Sequence, residues 1–298
     1  ILSASNSNSA QPLAYNANST IPGIAVQPLV VKNNLTLLNR GVLTSGNANT
    51  NVIVGGNFTI NSNSIYSPGT NTTIFNGNGP QTLSVLGTIN NGFNSLELAG
   101  KSDLSLEGIG NVNIRNSLTI GEGTALRDNG KVISVTGNIS NSGTHFRPVT
   151  GGGRIELTGS RNQIISGNGN GAFNNLSINK TNGSVTVETD IFVSGDLRLV
   201  SNHRLDIGDN LLKLGPEAEI YSSATGTTKS FANNKMILTS GLLSDNGLQK
   251  EFSSTNEFVF PFGFAINTNY YYLPASVQFT AAPAKWGAVT SRPVNGRH

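Results

Sequence analysis

Residues 93–98 read Phe-Asn-Ser-Leu-Glu-Leu, and residues 173–178 read Phe-Asn-Asn-Leu-Ser-Ile. Other segments recur at a similar offset of about 80 residues and in the same order: residues 33–37 return as 116–120, 56–59 as 137–140, and 80–83 as 162–165. A third, shorter copy begins at Gly195. Each copy contains a smaller unit, a short apolar strand followed by a polar turn, roughly every 20 residues. The chain from Leu29 to about Gly215 is therefore predicted to be a repeat array.

A unit of about 20 residues is too short to bury its own apolar side chains, so it must stack on its neighbours. The apolar runs are short and often alternate with polar residues, and Gly, Asn or Ser bounds them, which is typical of strands and turns. The sequence therefore predicts an all-β fold, a parallel β-helix (β-solenoid). The competing interpretation is a string of β-sandwiches, one for each long repeat. Leu35, Leu118 and Leu197 align in the repeat and are predicted to point inward at equivalent positions.

The composition excludes several other classes of protein. Of the 298 residues, 36% are hydrophobic, which is enough for a core, and only 12% are charged. The 35 Gly and the abundant Asn, Ser and Thr are poor residues for helix interiors, so a helical bundle is excluded. The chain has no Cys, which excludes disulfides and thiolate metal sites. The formal net charge is +3 without a basic cluster, and no apolar run is long enough for a membrane helix. Neither a nucleic-acid partner nor a membrane span is predicted.

Asparagine is predicted to shape the corners of this array. Gly and Asn tolerate the left-handed backbone that tight turns require. An Asn in a turn can also bond to the same Asn one coil above, as side-chain ladders do in stacked strands. Asn57 and Asn138 share a Gly-Asn-apolar pattern and are predicted to lie at turns or strand edges, with side chains bonded to backbone. Asn34, Asn116 and Asn210 precede apolar strands at comparable positions.

Several Asn-x-Ser/Thr triplets have the form of glycosylation acceptors. They include those that begin at Asn34, Asn57, Asn71, Asn138 and Asn175. In a chain this rich in Asn, Ser and Thr, such triplets arise by chance, so the structural role in turns is the favoured interpretation.

The ionisable residues give little sign of chemistry. His145, His203 and His298 are far apart in the sequence and are predicted to lie on the solvated surface. Asp206 and Asp209 flank a strand and its turn, and paired carboxylates serve hydrolysis or hold Ca²⁺ in other proteins. Acidic residues are sparse here, so a charged turn is favoured. No catalytic, cofactor-binding or metal-binding residue is predicted, and no cofactor.

Aromatic residues concentrate after Gln249. Residues 257–261 and 273–279 alternate and are predicted to pair as antiparallel strands across a turn at 266–269. The favoured interpretation is an aromatic cap that closes the open end of the solenoid, or the start of a following domain. The alternative is a ligand platform formed by Tyr270, Tyr271 and Tyr272.

The predicted organisation has three parts. Residues 1–28 form a polar N-terminal linker or edge segment, residues 29–249 the β-solenoid repeat array, and residues 250–298 the aromatic-rich β cap or the start of the next domain. Residues 1–9 have neither the basic segment nor the apolar run of a signal peptide, so the chain is interpreted as a mature or excised part of a longer protein.

Three stretches carry a resemblance to a known group of proteins. Asn-Asn-Leu-Ser-Ile-Asn-Lys at 174–180, Gly-Asn-Phe-Thr at 56–59, and Phe-Val-Phe-Pro-Phe-Gly at 258–263 followed by Tyr-Leu-Pro-Ala at 272–275 resemble large repetitive Asn/Gly-rich cell-surface proteins of the Bacteroidota. The resemblance covers residues 29–277. It implies an adhesin-like cargo of the type IX secretion system, with the secretion machinery as a partner during export. The C-terminal sorting domain of such cargo is not visible in this sequence.

The sequence thus predicts a non-enzymatic extracellular structural or adhesive rod segment of a large secreted cell-surface protein. Its expected partners are cell-surface glycans or other surface proteins. The alternative is a secreted polysaccharide-binding or polysaccharide-cleaving β-helix protein, and three convergent acidic residues or a bound Ca²⁺ would favour it. A third interpretation is a subunit of a fibre, or a cargo of a secretion machine, in which the ends or edges of the solenoid carry the contacts.

Overall fold

The computed structural model describes residues 2–4, 12–15, 28–38, 40–45, 51–108, 110–146 and 152–296. Within these ranges the secondary structure is entirely β, without a helix. The strands of the first half are β1 (Leu2–Ala4), β2 (Pro12–Tyr15), β3 (Leu29–Val31), β4 (Leu35–Leu37), β5 (Val42–Ser45), β6 (Val52–Val54), β7 (Phe58–Ile60), β8 (Ile65–Ser67), β9 (Thr72–Phe75), β10 (Pro80–Val85), β11 (Thr88–Ile89), β12 (Ser95–Leu98), β13 (Asp103–Gly108), β14 (Val112–Ile114), β15 (Leu118–Ile120), β16 (Ala125–Arg127), β17 (Val132–Val135) and β18 (Ile139–Asn141).

The strands of the second half are β19 (Thr144–Phe146), β20 (Arg154–Leu157), β21 (Gln163–Ser166), β22 (Ala172–Phe173), β23 (Leu176–Ile178), β24 (Val185–Val187), β25 (Ile191–Val193), β26 (Leu197–Leu199), β27 (Leu205–Gly208), β28 (Leu211–Leu214), β29 (Ile220–Tyr221), β30 (Ile237–Thr239), β31 (Gly247–Glu251), β32 (Phe258–Phe260), β33 (Phe262–Ile266), β34 (Asn269–Tyr272), β35 (Ala275–Val277) and β36 (Ala288–Ser291).

The chain divides into two compact units. Unit 1 comprises residues 1–135 and 143–153, and unit 2 comprises residues 136–142 and 154–298. In unit 1 the first sheet has the order β1-β4-β7-β10-β13-β16-β19, the second β3-β6-β9-β12-β15, and the third face carries β2-β5-β8-β11 and then β14-β17. In unit 2 the first sheet is β22-β25-β28-β31-β36, the second β18-β21-β24-β27-β30-β33-β34, and the third β20-β23-β26-β29.

Each sheet takes every third strand of the chain, and the successive coils pair in parallel. In unit 1, for example, Leu35 of β4 pairs with Phe58 of β7, and Leu104 of β13 pairs with Leu126 of β16. Such a coil is close to the repeat of about 20 residues that the sequence predicts. The predicted parallel β-solenoid is therefore confirmed, and the β-sandwich alternative is wrong.

The core of unit 1 is a column of inward side chains, because alternate residues of each strand face the interior. Leu35, Phe58 and Leu83 follow one another on consecutive coils of the first sheet and are almost fully buried. An aromatic cluster adds to this column. The ring of Tyr66 lies edge-on to those of Phe58 and Phe93, with centroid distances of 5.1 and 6.2 Å. Such geometry contributes beyond the buried area alone.

The core of unit 2 follows the same rule. Leu176, Leu197 and Ile220 stack on consecutive coils of the third sheet, and all three are buried. One coil is longer than the others: Leu212 of β28 pairs with Leu248 of β31, and the intervening chain includes an extended turn region between β29 and β30.

The predicted inward position of the three aligned leucines is confirmed, since Leu35, Leu118 and Leu197 are all buried. Their predicted equivalence is wrong. They begin β4, β15 and β26, which are eleven strands apart each time, and eleven is not a multiple of the three strands in a coil. Leu35 therefore lies in the first sheet of unit 1 and Leu118 in its second. The long repeat preserves the local strand pattern but moves it to a different face.

Antiparallel strands complete the parallel sheets of unit 2 at the C-terminal side. β36 pairs antiparallel with β31, and β34 pairs antiparallel with β33. The predicted pairing of 257–261 with 273–279 is confirmed as β32 against β35. The chain between these two strands forms the hairpin of β33 and β34, whose turn carries Asn267 at a φ of 57°. Pro261 separates β32 from β33, so the missing N–H falls where the chain changes sheets.

The N-terminal segment 1–28 falls mostly outside the described residues. Of the parts that are described, β1 pairs in parallel with β4 and β2 with β5. These strands extend two of the parallel sheets of unit 1.

Candidate functional site

Asparagine side chains connect consecutive coils through hydrogen bonds at positions just before strands. In unit 1, Oδ1 of Asn34 accepts from the backbone N–H of Asn57 at 2.8 Å, and Oδ1 of Asn57 accepts from that of Thr82 at 2.9 Å. In unit 2, Oδ1 of Asn138 accepts from the N–H of Ile164 at 3.0 Å. Equivalent bonds run from Asn51 to Thr72 and from Asn111 to Val132 in unit 1, and from Asn162 to Ser184, Asn175 to Asp196 and Asp190 to Leu211 in unit 2.

The predicted role of Asn57 and Asn138 is therefore confirmed, because both precede a strand and bond to backbone. The predicted ladder between identical amides is wrong in one respect. Each carbonyl oxygen binds an N–H of the next coil, since the spacing of the coils brings that N–H within reach of a short side chain. We call the bonds of this kind that asparagine side chains make the asparagine rungs; Asp190 makes the same contact through its carboxylate.

The remaining asparagines that the sequence singled out also have partners. Nδ2 of Asn116 donates to Oγ of Ser95 at 3.0 Å, and Nδ2 of Asn210 donates to the carbonyl of Val187 at 2.9 Å. Asn71 is fully buried, which makes it inaccessible to a glycosylating enzyme in the folded protein. The structural interpretation of these triplets therefore has direct support at Asn34, Asn57, Asn71, Asn138 and Asn175.

The prediction that the histidines are solvated is wrong for His145. Its side chain is fully buried in unit 1, and Nε2 lies 2.9 Å from Oδ2 of Asp128, which is also fully buried. His145 sits beside Leu126 of the neighbouring coil, at an inward position of the first sheet. Period-two alternation of Thr144-His-Phe146 could have placed it inward, but the partner Asp128 is visible only in the fold. His203 is partly buried and Nδ1 lies 3.0 Å from Oγ of Ser201, while His298 lies outside the described residues.

Two lysines are also buried in unit 2, which the sequence did not suggest. Nζ of Lys180 donates to the carbonyl of Arg161 at 2.8 Å, and Nζ of Lys250 donates to those of Gly215 and Pro216 at 2.7 Å each. Burial lowers the pKa of both ammonium groups. The ammonium group of Lys250 also lies 5.4 Å from the ring centroid of Phe258, so this side chain connects β31 to the chain at Gly215 and to β32.

An open groove of about 520 Å³ lies on the outer face of the second sheet of unit 2. It contains three carboxylates, those of Glu188, Asp206 and Asp209, beside hydroxyl and amide groups of Thr186 and Asn210. Thr186 and Asp206 are neighbours in register, and the register of β27 with β30 shifts between Asp206 and Gly208. Bulges of this kind often re-aim side chains at binding sites.

The side chain of Asp206 is half-buried in this groove. Burial raises the pKa of its carboxyl group, although the N–H of Gly208 donates to it at 3.0 Å and acts in the opposite direction. The structure thus brings Asp206 and Asp209 together with Glu188, a residue that sequence reasoning missed. Within the described ranges, no group of three or more His, Cys, Asp or Glu residues is arranged to hold a metal ion.

The three consecutive tyrosines do not share one face. Successive strand residues point to opposite sides, so Tyr270 and Tyr272 face one way and Tyr271 the other. The guanidinium of Arg204 lies 3.4 Å above the ring centroid of Tyr270, and the ring of Tyr271 packs on Phe264 at 5.6 Å. Tyr270 and Tyr271 remain partly exposed, and burial raises the pKa of Tyr272. Two separate aromatic surfaces result, one of them with a cation already stacked on it.

The third sheet of unit 2 carries a polar column on its outer side that is nevertheless buried. Glu156, Ser177 and Arg198 occupy neighbouring register positions. Part of the cover is the turn region after β29, where the carbonyl of Ala224 accepts from Arg198 at 2.6 Å and Gly226 lies against the guanidinium group. Glu156 accepts from Arg154 and Ser177, and Arg198 donates to Asp196 and to the carbonyl of Ala224, so hydrogen bonds stabilise the charged groups of this column.

Comparison with protein-family models, with curated proteins and with solved structures finds no match to this chain. Among the described residues, we also find no helix of the length and hydrophobicity that crossing a bilayer requires.

Proposed function

We propose that this chain is a non-enzymatic, extracellular structural and adhesive rod segment of a large secreted cell-surface protein. The observation that supports this most is the set of asparagine rungs. Each rung adds a side-chain bond between consecutive coils to the bonds of the parallel sheets, so neighbouring coils are joined both along the strands and at their corners.

A mechanical role follows from how such bonds respond to force. The hydrogen bonds between coils run roughly along the stacking direction, so separating two coils requires breaking the sheet bonds and the rungs that join them. An intact rung adds about 0.5–1.5 kcal/mol at a position where the backbone would otherwise bond to water. The stiffness therefore comes from packing and hydrogen bonds alone, and the proposed role requires no cofactor.

Force spectroscopy on single molecules tests this proposal. The chain is stretched from its two ends, and the unfolding forces of the wild type and of Asn57→Ala are compared. Asn78→Ala is the matched control, because Asn78 is exposed in the same unit and has no hydrogen-bond partner among the described residues. We expect a lower unfolding force for Asn57→Ala alone. Equal forces for the three proteins would contradict a mechanical role for the rungs.

The adhesive part of the proposal rests on the outer surface. Its polar, weakly charged side chains and the exposed rings of Tyr270 and Tyr271 suit contacts with cell-surface glycans or with other surface proteins. A glycan array and a pull-down from intact cells test it, with Tyr271→Ala as the variant. Retention of all binding by that variant would exclude the surface that carries Tyr271 as the contact.

Export by the type IX system is proposed on the resemblance to Bacteroidota surface proteins alone. The test is to express the complete reading frame that encodes this chain in a Bacteroidota host with and without a functional type IX machinery. We expect the protein at the cell surface only when the machinery is intact. Its appearance at the surface in both strains would overturn this route.

A second candidate function, polysaccharide binding or cleavage, is favoured by the groove with Glu188, Asp206 and Asp209. Carboxylates beside hydroxyl and amide groups are the donors and acceptors that hold sugar hydroxyls, and a carboxyl group of raised pKa suits a general acid. Product release from a panel of polysaccharides, measured for the wild type and for Asp206→Asn, decides between the two functions. Turnover that depends on Asp206 would establish an enzyme, and binding without turnover would establish a lectin-like rod.

A further inference from the structure

The wall of the solenoid in unit 1 is interrupted on its third face. β11 ends one sheet and β14, on the next coil, begins another. The same two coils pair fully on the first sheet, where β10 and β13 share six register pairs. On the third face, beyond β11, a single bridge between Phe93 and Ile114 joins them.

This interruption exposes side chains that the strand pattern directs inward. Gln81, Leu83 and Val85 alternate along β10, and the first two are buried, but Val85 is only half-buried. Ile89 pairs in register with Tyr66, which has no exposure, yet Ile89 is also half-buried. At the other inward positions discussed above, apolar side chains are almost completely removed from water, so these two mark an opening into the core.

The opening leads into a cavity of about 220 Å³. Its apolar wall consists of Leu83, Val85, Ile89, Phe93, Leu106 and Val112. Polar groups of Thr88, Glu107, Asn111, Asn113 and Lys131 also line it. The ammonium of Lys131 is held in place because it donates to the carbonyl of Leu106 at 2.9 Å.

We propose that this cavity is a binding site for a small organic molecule that has one aromatic or branched aliphatic group and one hydrogen-bonding head. The volume of the cavity limits the size of the ligand, because a cavity of about 150 Å³ holds benzene, while drug-sized ligands need about 300 Å³ or more. The lining limits the chemistry of the ligand, since an apolar wall holds its apolar group and a few fixed polar groups orient its head. Binding recovers the burial that Val85 and Ile89 lack in the free protein.

Methyl-detected NMR titration of the whole chain tests this site. Indole, p-cresol and 3-methyl-1-butanol are the probes, and glucose is the polar control. We expect saturable shifts at the methyl groups of Val85 and Val112 with at least one apolar probe, intermolecular contacts from that probe to the same methyls, and no shift there with glucose.

Two variants separate this cavity from other apolar surfaces. Val85→Phe fills it and should weaken the probe at least about tenfold. Val42→Phe, at a half-buried valine outside the cavity in the same unit, should leave the affinity unchanged. If Val85→Phe does not fold, Ile89→Phe is the second variant that fills the cavity. If neither variant folds, the intermolecular contacts in the wild type decide whether the probe occupies the cavity.

The proposal is overturned if none of the apolar probes shifts these methyls, if glucose shifts them equally, or if a folded filling variant binds as tightly as the wild type. This outcome is independent of the mechanical and adhesive role, because the asparagine rungs and the tyrosines lie outside the cavity, apart from the rung at Asn111.

Discussion

Oδ2 of Asp128 lies 2.9 Å from Nε2 of His145 in the interior of unit 1, and neither side chain is exposed to solvent. The second carboxylate oxygen accepts from the N–H of Gly130 at 2.8 Å, and the backbone N–H of Asp128 donates to the carbonyl of Phe146. A polar pair is costly in a core unless every member is bonded, and this one is tied to backbone on two sides. It holds the turn after β16 against β19.

Asp128→Ala should destabilise unit 1 by about 3 kcal/mol, because it leaves a buried imidazole beside a void. Asp103→Ala is the matched control. It removes a carboxylate 2.7 Å from Arg127, but that pair is largely exposed, so its loss should cost less than about 1 kcal/mol. Urea denaturation followed by circular dichroism measures both. Similar losses in the free energy of unfolding for the two variants would show that the buried pair stabilises the protein no more than the exposed pair does.

Leu118→Asp should cost more than about 4 kcal/mol, since it places an unpaired carboxylate at a fully buried position of the second sheet in unit 1. The next residue, Thr119, faces outward and pairs in register with Glu97. Thr119→Lys should therefore change the stability by no more than about 0.5 kcal/mol. The melting temperatures of the two variants check this difference. A stable Leu118→Asp protein would contradict the inward register of β15.

Tyr66 should make the protein less stable at alkaline pH. Burial raises the pKa of its hydroxyl group from 10.0 to about 12, against the smaller opposing effect of its 2.8 Å hydrogen bond to Thr73. The unfolded chain therefore loses this proton first, and stability falls between about pH 10 and pH 12 by about 3 kcal/mol from this group. Denaturation curves of Tyr66→Phe across this range should lack that contribution to the slope.

The control for Tyr66 is Phe58→Leu, which disturbs the same aromatic cluster but keeps the hydroxyl group. It should lower the stability at every pH and retain the alkaline slope. If Tyr66→Phe keeps the wild-type slope as well, the group responsible lies elsewhere.

Deleting residues 250–298 should cause end-to-end association, because the deletion shortens β31, uncovers the edges of β30 and of the remaining part of β31, and removes three buried phenylalanines, Phe258, Phe260 and Phe262. Those side chains contribute roughly 5–9 kcal/mol before entropic costs. Light scattering and calorimetry measure the result. A deletion of residues 293–298, which leaves β36 intact, is the control and should stay monomeric. A monomeric 250–298 deletion with an unchanged melting temperature would show that this segment is not a cap.

Much of the fold was predictable because its determinants are local. Alternation of apolar and polar residues over three to five positions specifies a strand, and Gly or Asn between such runs specifies a turn. Stacking then follows from the shortness of the unit, which cannot bury Leu35 or Leu197 by itself. The backbone bonds of Asn57 and Asn138 were predictable for the same reason, since a short amide before a strand competes for nearby N–H groups.

Only the tertiary structure decided the contacts that depend on which coils lie next to each other. The sequence alone determined strands, turns, inward leucines and a stacked architecture, because these follow from residue spacing. It did not determine that a coil has three strands, which places Leu118 on a different sheet from Leu35. Nor did it place Asp128 beside His145, or Glu188 beside Asp206, because residues far apart in the chain become neighbours only when coils of unequal length close around a common core.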